Sequence, residues 1–262
     1  MPEKNRVYRA RIEGYTSEGL GVARIDGQAV FVHRALRGED CDVLILKVLK
    51  NAAFGKAVRV YEPSPHRVEP DCPYYGRCGG CDFRHMDRTE ELAAKRQRVQ
   101  DALRRIGGSA VTVEGIDGGA PLHYRNKSQY PVAADGSVGF YKARSHQVVP
   151  VTQCLIQKPQ ADAAAQALRT YIASCGVSCY DEKTRQGLVR HLYIRTNGAG
   201  QSLICVVVNG KKLPGEEELV RLLRQAAPET VGVVLGVNTQ PTGAVLGTEY
   251  RTLWGADVLT DT

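Results

Sequence analysis

The stretch from residue 6 to residue 61 constrains the fold most. It holds five short β-forming segments, at 7–15, 19–25, 28–33, 40–49 and 54–61, with turns at Ser17-Glu18-Gly19, Asp26-Gly27, Arg37-Gly38-Glu39 and Lys50-Asn51 between them. No helical period runs through it, and Asp-Gly between alternating apolar residues is a strong hairpin signal. Five strands in so short a stretch suit a small closed barrel of the OB type. Such barrels often bind nucleic acid on one curved face, although a fold alone assigns no function.

A Pro-rich segment at 62–70 cannot continue a sheet ladder and reads as the domain boundary. The expected division is therefore a barrel over 1–62, a linker over 63–70 and a second domain over 71–262. The second domain opens with a cysteine-rich knot at 71–86, followed by a helix. Asp87 with Glu90 gives a capping-box-like start, Leu92, Val99, Leu103 and Ile106 give an apolar stripe, and Gly107-Gly108 stops it. Lys95, Arg96, Arg98, Arg104 and Arg105 lie off that stripe. Strands then read at 123–133 and 138–143 around Asp135-Gly136, at 188–196 and 202–208 across a Gly-rich turn, and at 230–237; helices read at 160–175 and 216–226. Residues 243–261 open another strand pair that the chain end leaves unclosed. The expected fold class is an OB-like β barrel followed by an α+β domain with helices on one sheet face.

Charge separates the two halves. Residues 1–60 carry eleven basic and seven acidic groups, 61–160 fourteen and eleven, and 161–262 ten and ten, so the net +7 lies wholly in the first 160 residues. A basic half beside a neutral half suits a polyanionic partner such as nucleic acid. The longest apolar run, 203–208, is far shorter than the roughly 18 residues of a membrane span. The N-terminus has no apolar stretch of the secretory kind, so a cytoplasmic, reducing setting is expected, where eight cysteines suggest a metal or redox site before disulfides.

Cys72, Cys78 and Cys81, in the pattern C-x5-C-x2-C, can place three thiolates around one centre, with Gly79 and Gly80 allowing the chain to wrap tightly. His85 would complete a zinc site and Cys154 an all-cysteine site for zinc or an iron–sulfur cluster, and spacing alone leaves the two metals level. Cys205 and Cys41 read as strand hydrophobes, and Cys175 and Cys179 as residues framing a turn.

These residues resemble a known family. The run from Cys72 to Cys81 with His85 and a basic helix behind it resembles the iron–sulfur loop of the bacterial RNA uracil-5-methyltransferases. Further matches are Tyr124-Arg125-Asn126-Lys127-Ser128-Gln129-Tyr130-Pro131, Gly139-Phe140-Tyr141, Arg144-Ser145-His146 and Cys154, while residues 6–61 look like the TRAM domain of that family. Those enzymes use S-adenosylmethionine to make 5-methyluridine in 23S rRNA, with relatives acting on tRNA.

The resemblance implies a 4Fe–4S cluster on Cys72, Cys78, Cys81 and Cys154. It also implies RNA as the partner, rRNA ahead of tRNA, with no membrane and no obligate protein partner. Candidate RNA contacts are Arg9, Arg11, Arg24, Lys47 and Lys56 on the barrel, Phe31 or Phe54 as stacking platforms, and Arg125 and Lys127, which alternate onto one face of a strand near the target nucleotide. The family's catalytic cysteine, general base and Rossmann-like S-adenosylmethionine domain find no match, and no Gly-x-Gly-x-x-Gly occurs. The expectation is a chain truncated before its catalytic domain, without catalytic or S-adenosylmethionine-binding residues of its own, that binds RNA and a cluster but is inactive alone. Other readings are a free-standing TRAM-type RNA-binding protein, such as an RNA chaperone or assembly factor, and a zinc-stabilised RNA-binding protein.

Overall fold

The computed structural model describes residues 1–261; Thr262, the last residue of the expected second domain, lies outside the described residues. Two compact units are present, one of Met1–Pro73 with Cys81–Gly119 and one of Tyr74–Gly80 with Ala120–Thr262.

The first unit is built on six strands: β1 (Val7–Arg11), β2 (Gly14–Tyr15), β3 (Gly21–Ile25), β4 (Gln28–His33), β5 (Asp40–Val48) and β6 (Ala52–Glu62). Their order in the sheet is β1-β5-β6-β4-β3-β2, with β4 and β6 parallel and the other pairs antiparallel. The single strand expected over 7–15 is two. Ile12 N–H donates to the Glu39 carbonyl at 2.8 Å and Glu13 N–H to that of Val22 at 2.7 Å, so the chain changes neighbours there and turns a corner. Alternate residues point inward, and Ala23, Val30, Val32, Val43, Ile45 and Ala53 form a fully buried core. The Pro-rich stretch runs within this unit. From it Arg67 reaches the fully buried Glu39, donating from Nε at 2.5 Å and Nη2 at 2.7 Å.

Helix α1 (Arg88–Asp101) starts as its sequence signals: Asp87 accepts from Glu90 N–H at 2.9 Å. It continues as a π-helical turn, Ala102–Ile106. The apolar stripe is not what it buries, because Val99 and Ile106 are exposed at 51% and 88% while Glu90 and Ala94 are buried. The reason is polar docking: Glu90 accepts from Tyr15 Oη at 2.7 Å and from Arg37 Nη2 at 3.0 Å, which satisfies a carboxylate that burial would otherwise penalise.

The second unit has a five-stranded sheet in the order β13-β12-β11-β10-β7, with β7 at Lys127–Pro131, β10 at Val189–Thr196, β11 at Ser202–Val208, β12 at Thr230–Val237 and β13 at Glu249–Gly255. Only β11 and β12 run parallel. Between these two strands the chain crosses over through α3 (Glu216–Ala226), which packs beside α2 (Pro159–Ser174). Both helices cover one sheet face, where Leu168, Tyr171, Leu219 and Leu223 meet Leu192, Ile194, Ile204, Val206 and Leu235. The opposite face carries a smaller cluster of Cys205, Val207 and Val234. A separate hairpin pairs β8 (Gly139–Tyr141) with β9 (Val148–Pro150). Of the strand pair expected over 243–261, only β13 forms, and beyond it Asn197 Nδ2 holds the Thr260 carbonyl at 2.8 Å. Among the described residues no helix is long and apolar enough to cross a membrane.

Candidate functional site

The outer face of the barrel collects most of the residues singled out from the sequence. Strand register sets Phe31 beside Phe54, with ring centroids 5.3 Å apart and the rings edge to face. Across the sheet Lys47 stands opposite Phe54, and Lys56 opposite Leu44 and His33. Lys47 and Lys56 are exposed and make no ion pair among the described residues. An aromatic pair flanked by uncompensated ammonium groups can stack a base and neutralise phosphates.

The arginines are more engaged. Arg9 holds Asp40 at 2.7 Å, Arg11 holds Glu62 at 3.3 Å and Arg24 lies 3.9 Å from Glu13. The Asp40 carboxylate raises the Arg9 guanidinium and is itself held below its ordinary value by Arg9. Tyr61 and Arg59 were not among the expected contacts. The Tyr61 ring lies 4.4 Å from the Arg9 guanidinium and 4.6 Å from that of Arg59, and its hydroxyl donates to Asp42 at 2.9 Å. The alternation Arg59-Val60-Tyr61 was the available signal, since it sends both side chains to one face.

Arg125 and Lys127 do not share a strand. β7 starts at Lys127, which pairs with Arg195, whereas Arg125 precedes it and donates its N–H to Ile156 at 2.9 Å. Both are exposed, and no ion pair joins either to another described residue.

Of the four expected ligand cysteines, Cys72 and Cys81 lie in the first unit and Cys78 and Cys154 in the second. All four are half-buried, and none is in a disulfide. Gly80 N–H donates to Cys78 Sγ at 3.4 Å. Burial raises the Cys154 thiol, the N–H groups of Ile156 and Gln157 at its sulfur oppose that rise, and the charge of Cys78 adds to it. Gly79 donates its N–H to the Tyr141 carbonyl at 2.9 Å, and a Cβ on it would come within 2.8 Å of the Ala143 backbone, so this loop position admits only glycine. Cys154 N–H donates to Asp162 at 2.7 Å, and Asp162 accepts from Tyr130 at 2.7 Å. Among the described residues no group of three or more His, Cys, Asp or Glu side chains stands together as a metal site. His85 is buried, and burial followed by the charge of Arg67 pushes it down to about 4, so it is neutral at pH 7. Cys41 and Cys205 are buried as expected, their thiols pushed up by burial to about 11 and about 12, which makes them poor nucleophiles.

Residues 3–58 match the TRAM domain family. A protein of Clostridium tetani described as an uncharacterized RNA methyltransferase is 41% identical over 99% of this chain and 57% of its own length. One of Halalkalibacterium halodurans with the same description is 36% identical over 99% of this chain and 58% of its own length. The chain thus carries a TRAM match and is similar along nearly its whole length to proteins described as RNA methyltransferases. It spans rather more than half the length of these curated relatives. Its fold is shared with the Pyrococcus abyssi tRNA (uracil-54, C5)-methyltransferase solved with S-adenosyl-L-homocysteine, at TM-score 0.72 and 19% identity over 97% of this chain and 57% of that one.

That match corrects the expected fold class. The expectation that the methyltransferase fold is absent is overturned, because 97% of the chain superposes on a methyltransferase chain. The expectation of inactivity rested on the same absence and falls with it. A missing Gly-rich fingerprint concerns one loop, whereas a fold is set by strand order and packing throughout the chain.

Proposed function

We propose that this sequence serves an S-adenosylmethionine-dependent RNA (uracil-5-)-methyltransferase, acting in the cytoplasm on 23S rRNA. The observation that carries the proposal is the similarity to RNA methyltransferases along 99% of the chain, at up to 41% identity. The half-buried Phe31–Phe54 pair with exposed Lys47 and Lys56, inside the TRAM match, supports RNA as the ligand. In this reading Arg9, Arg11, Arg24, Lys47, Lys56, Arg125 and Lys127 contact RNA. Contacts of this kind position the backbone rather than read its sequence. A 4Fe–4S cluster is assigned to Cys72, Cys78, Cys81 and Cys154. The chain's own part is to present reduced thiols, with Gly80, Ile156 and Gln157 supplying N–H groups that stabilise negative charge on two sulfurs.

A second reading takes tRNA as the substrate, favoured by the tRNA specificity for which the solved Pyrococcus abyssi neighbour is named. Disrupting the coding sequence in its source cell and analysing rRNA and tRNA nucleosides by mass spectrometry tests both. Loss of one 5-methyluridine from 23S rRNA is the expected result, and loss from tRNA instead selects the second reading. Unchanged 5-methyluridine in both pools refutes methylation and leaves an RNA-binding protein without catalysis. Protein purified without oxygen should carry iron and sulfide in equal amounts; stoichiometric zinc in their place refutes the cluster.

A further inference from the structure

The first unit contains a cleft of about 760 Å³ that the barrel's outer aromatic face does not include. Its barrel wall carries Tyr15, Arg24 and Arg37, and its helix wall is the last turn of α1 and the π turn, with Arg98, Asp101 and Arg105. Guanidinium groups therefore line both sides. We propose that this cleft is a second RNA-binding site, taking the sugar–phosphate backbone of a single strand between the barrel and α1. The inference rests on the reading of the chain as an RNA-binding protein and adds α1 to the surface that binds.

Three observations carry it. The cleft is preformed, because buried Glu90 ties its two walls together at the base by accepting from Tyr15 at 2.7 Å and Arg37 at 3.0 Å. Tyr15 also accepts from the Arg37 N–H at 2.9 Å, and its burial raises the phenol, which therefore stays a donor to Glu90 at neutral pH. Little ordering remains to be done when a strand enters.

The helix-side charges also have the right spacing. Arg98 and Arg105 are seven residues apart, close to two turns and about 10 Å along the axis. That separation spans about three phosphates of a stacked strand at 3.4 Å per nucleotide. Arg98 makes no ion pair among the described residues, and Arg105 has only Asp101, at 3.7 Å with its own side chain 75% exposed. A surface pair of that kind is weak and leaves the guanidinium available to a phosphate.

The helix wall is irregular where it meets the cleft. The π turn, Ala102–Ile106, supplies Ala102, Arg105 and Ile106 to the lining, and Ile106 stands 88% exposed at its edge. π-helical turns occur frequently at functional sites. Here the turn carries an apolar side chain and a guanidinium into the same opening, which suits a sugar and its phosphate.

The test is fluorescence anisotropy of a labelled oligouridylate titrated with the 262-residue chain across a series of KCl concentrations. Three proteins are compared: the wild type, the cleft variant Arg98→Gln/Arg105→Gln and the outer-face variant Lys47→Gln/Lys56→Gln. These four side chains are solvent-facing, and matched circular dichroism melting curves confirm folding. Loss of two phosphate contacts lowers the slope of log K against log [KCl] by about 1.4 on a single strand. The cleft variant should show that fall and bind at least several-fold more weakly at low salt. An unchanged slope in the cleft variant, with a lowered one in the outer-face variant, overturns the cleft and leaves RNA binding standing. No RNA binding by the wild type overturns both. Inorganic tripolyphosphate distinguishes a site for free anions: if the cleft variant loses tripolyphosphate binding while its RNA binding is unchanged, the assignment to an RNA strand is wrong.

Discussion

Replacing Arg67 with alanine should destabilise the first unit in a pH-dependent way. Glu39 is fully buried, and it accepts from Arg67 Nε at 2.5 Å and Nη2 at 2.7 Å, from Leu36 N–H at 2.8 Å and from Ser64 N–H at 3.2 Å. Burial alone would raise its carboxyl, but Arg67 and the two N–H groups together hold it below its ordinary value. Arg67→Ala leaves the two N–H donors and removes the cation paired with the carboxylate. Breaking a buried pair in this manner costs about 3–5 kcal/mol. Arg67 is itself 28% exposed, so water can replace part of it and the lower end, about 3 kcal/mol, applies. At 1.4 kcal/mol per decade, amide protection of β3 to β5 should fall about a hundredfold at pH 7.

The sign of the pH effect follows from linkage. In the wild type the folded carboxyl sits below its unfolded value of about 4.3, so its contribution is complete above that pH and is lost as pH falls through the folded value. In the variant burial dominates, the carboxyl rises above its unfolded value, and protonation relieves the penalty as pH falls. The gap between the two proteins must therefore narrow from pH 7 to pH 4. Hydrogen exchange read by mass spectrometry, corrected for intrinsic rates, measures it. The single tryptophan, Trp254, belongs to the second unit, so its urea midpoint at pH 7 should stay unchanged. A gap under about 1 kcal/mol at pH 7, or one that does not narrow by pH 4, would refute the reasoning.

Other consequences are open to similar measurement. Leu192→Ala, at a fully buried position under the helices, should cost the second unit about 2–5 kcal/mol, read from the urea dependence of Trp254 emission. Gly79→Ala places a methyl 2.8 Å from the Ala143 backbone and should cost about 1–3 kcal/mol, with a lowered midpoint of the same signal. His191 is buried, and burial followed by the charge of Arg190 pushes it down to about 4. It therefore stays neutral in the folded state while the unfolded chain protonates below about pH 6.5, so stability is present above that pH and falls toward pH 4. His191→Gln should remove about 2 kcal/mol of the stability lost between pH 6.5 and 5, and an acid profile identical to the wild type would contradict this assignment.

Legibility in the sequence followed the range of the interaction involved. Alternation in Val30-Phe31-Val32 and in Cys41 to Ile45 announced the inward and outward faces of the barrel, and Asp87 with Glu90 announced the helix start, because each depends on near neighbours alone. Which face α1 would bury was not legible. Its apolar stripe is a local pattern, whereas Glu90 goes inside because Tyr15 and Arg37, distant in sequence, supply donors for it. The same holds for the arginines: Arg9 and Arg11 look like available cations until strand register brings Asp40 and Glu62 to them. Lys47 and Lys56 kept the exposure expected of them. A Gly-rich fingerprint is likewise a local signal: its absence describes one loop and carries no information on the fold that 97% of the chain shares with a methyltransferase chain.

The central claim is that the barrel's outer face is an RNA-binding surface. Titrating a labelled RNA with the chain and with Phe54→Ala at a series of salt concentrations tests it most directly. Binding should be tight at low salt and weaken as salt rises, with a loss of about 1–3 kcal/mol in the variant as one stacked base is released. Absent or salt-independent RNA binding, or equal affinity in the variant, would contradict it.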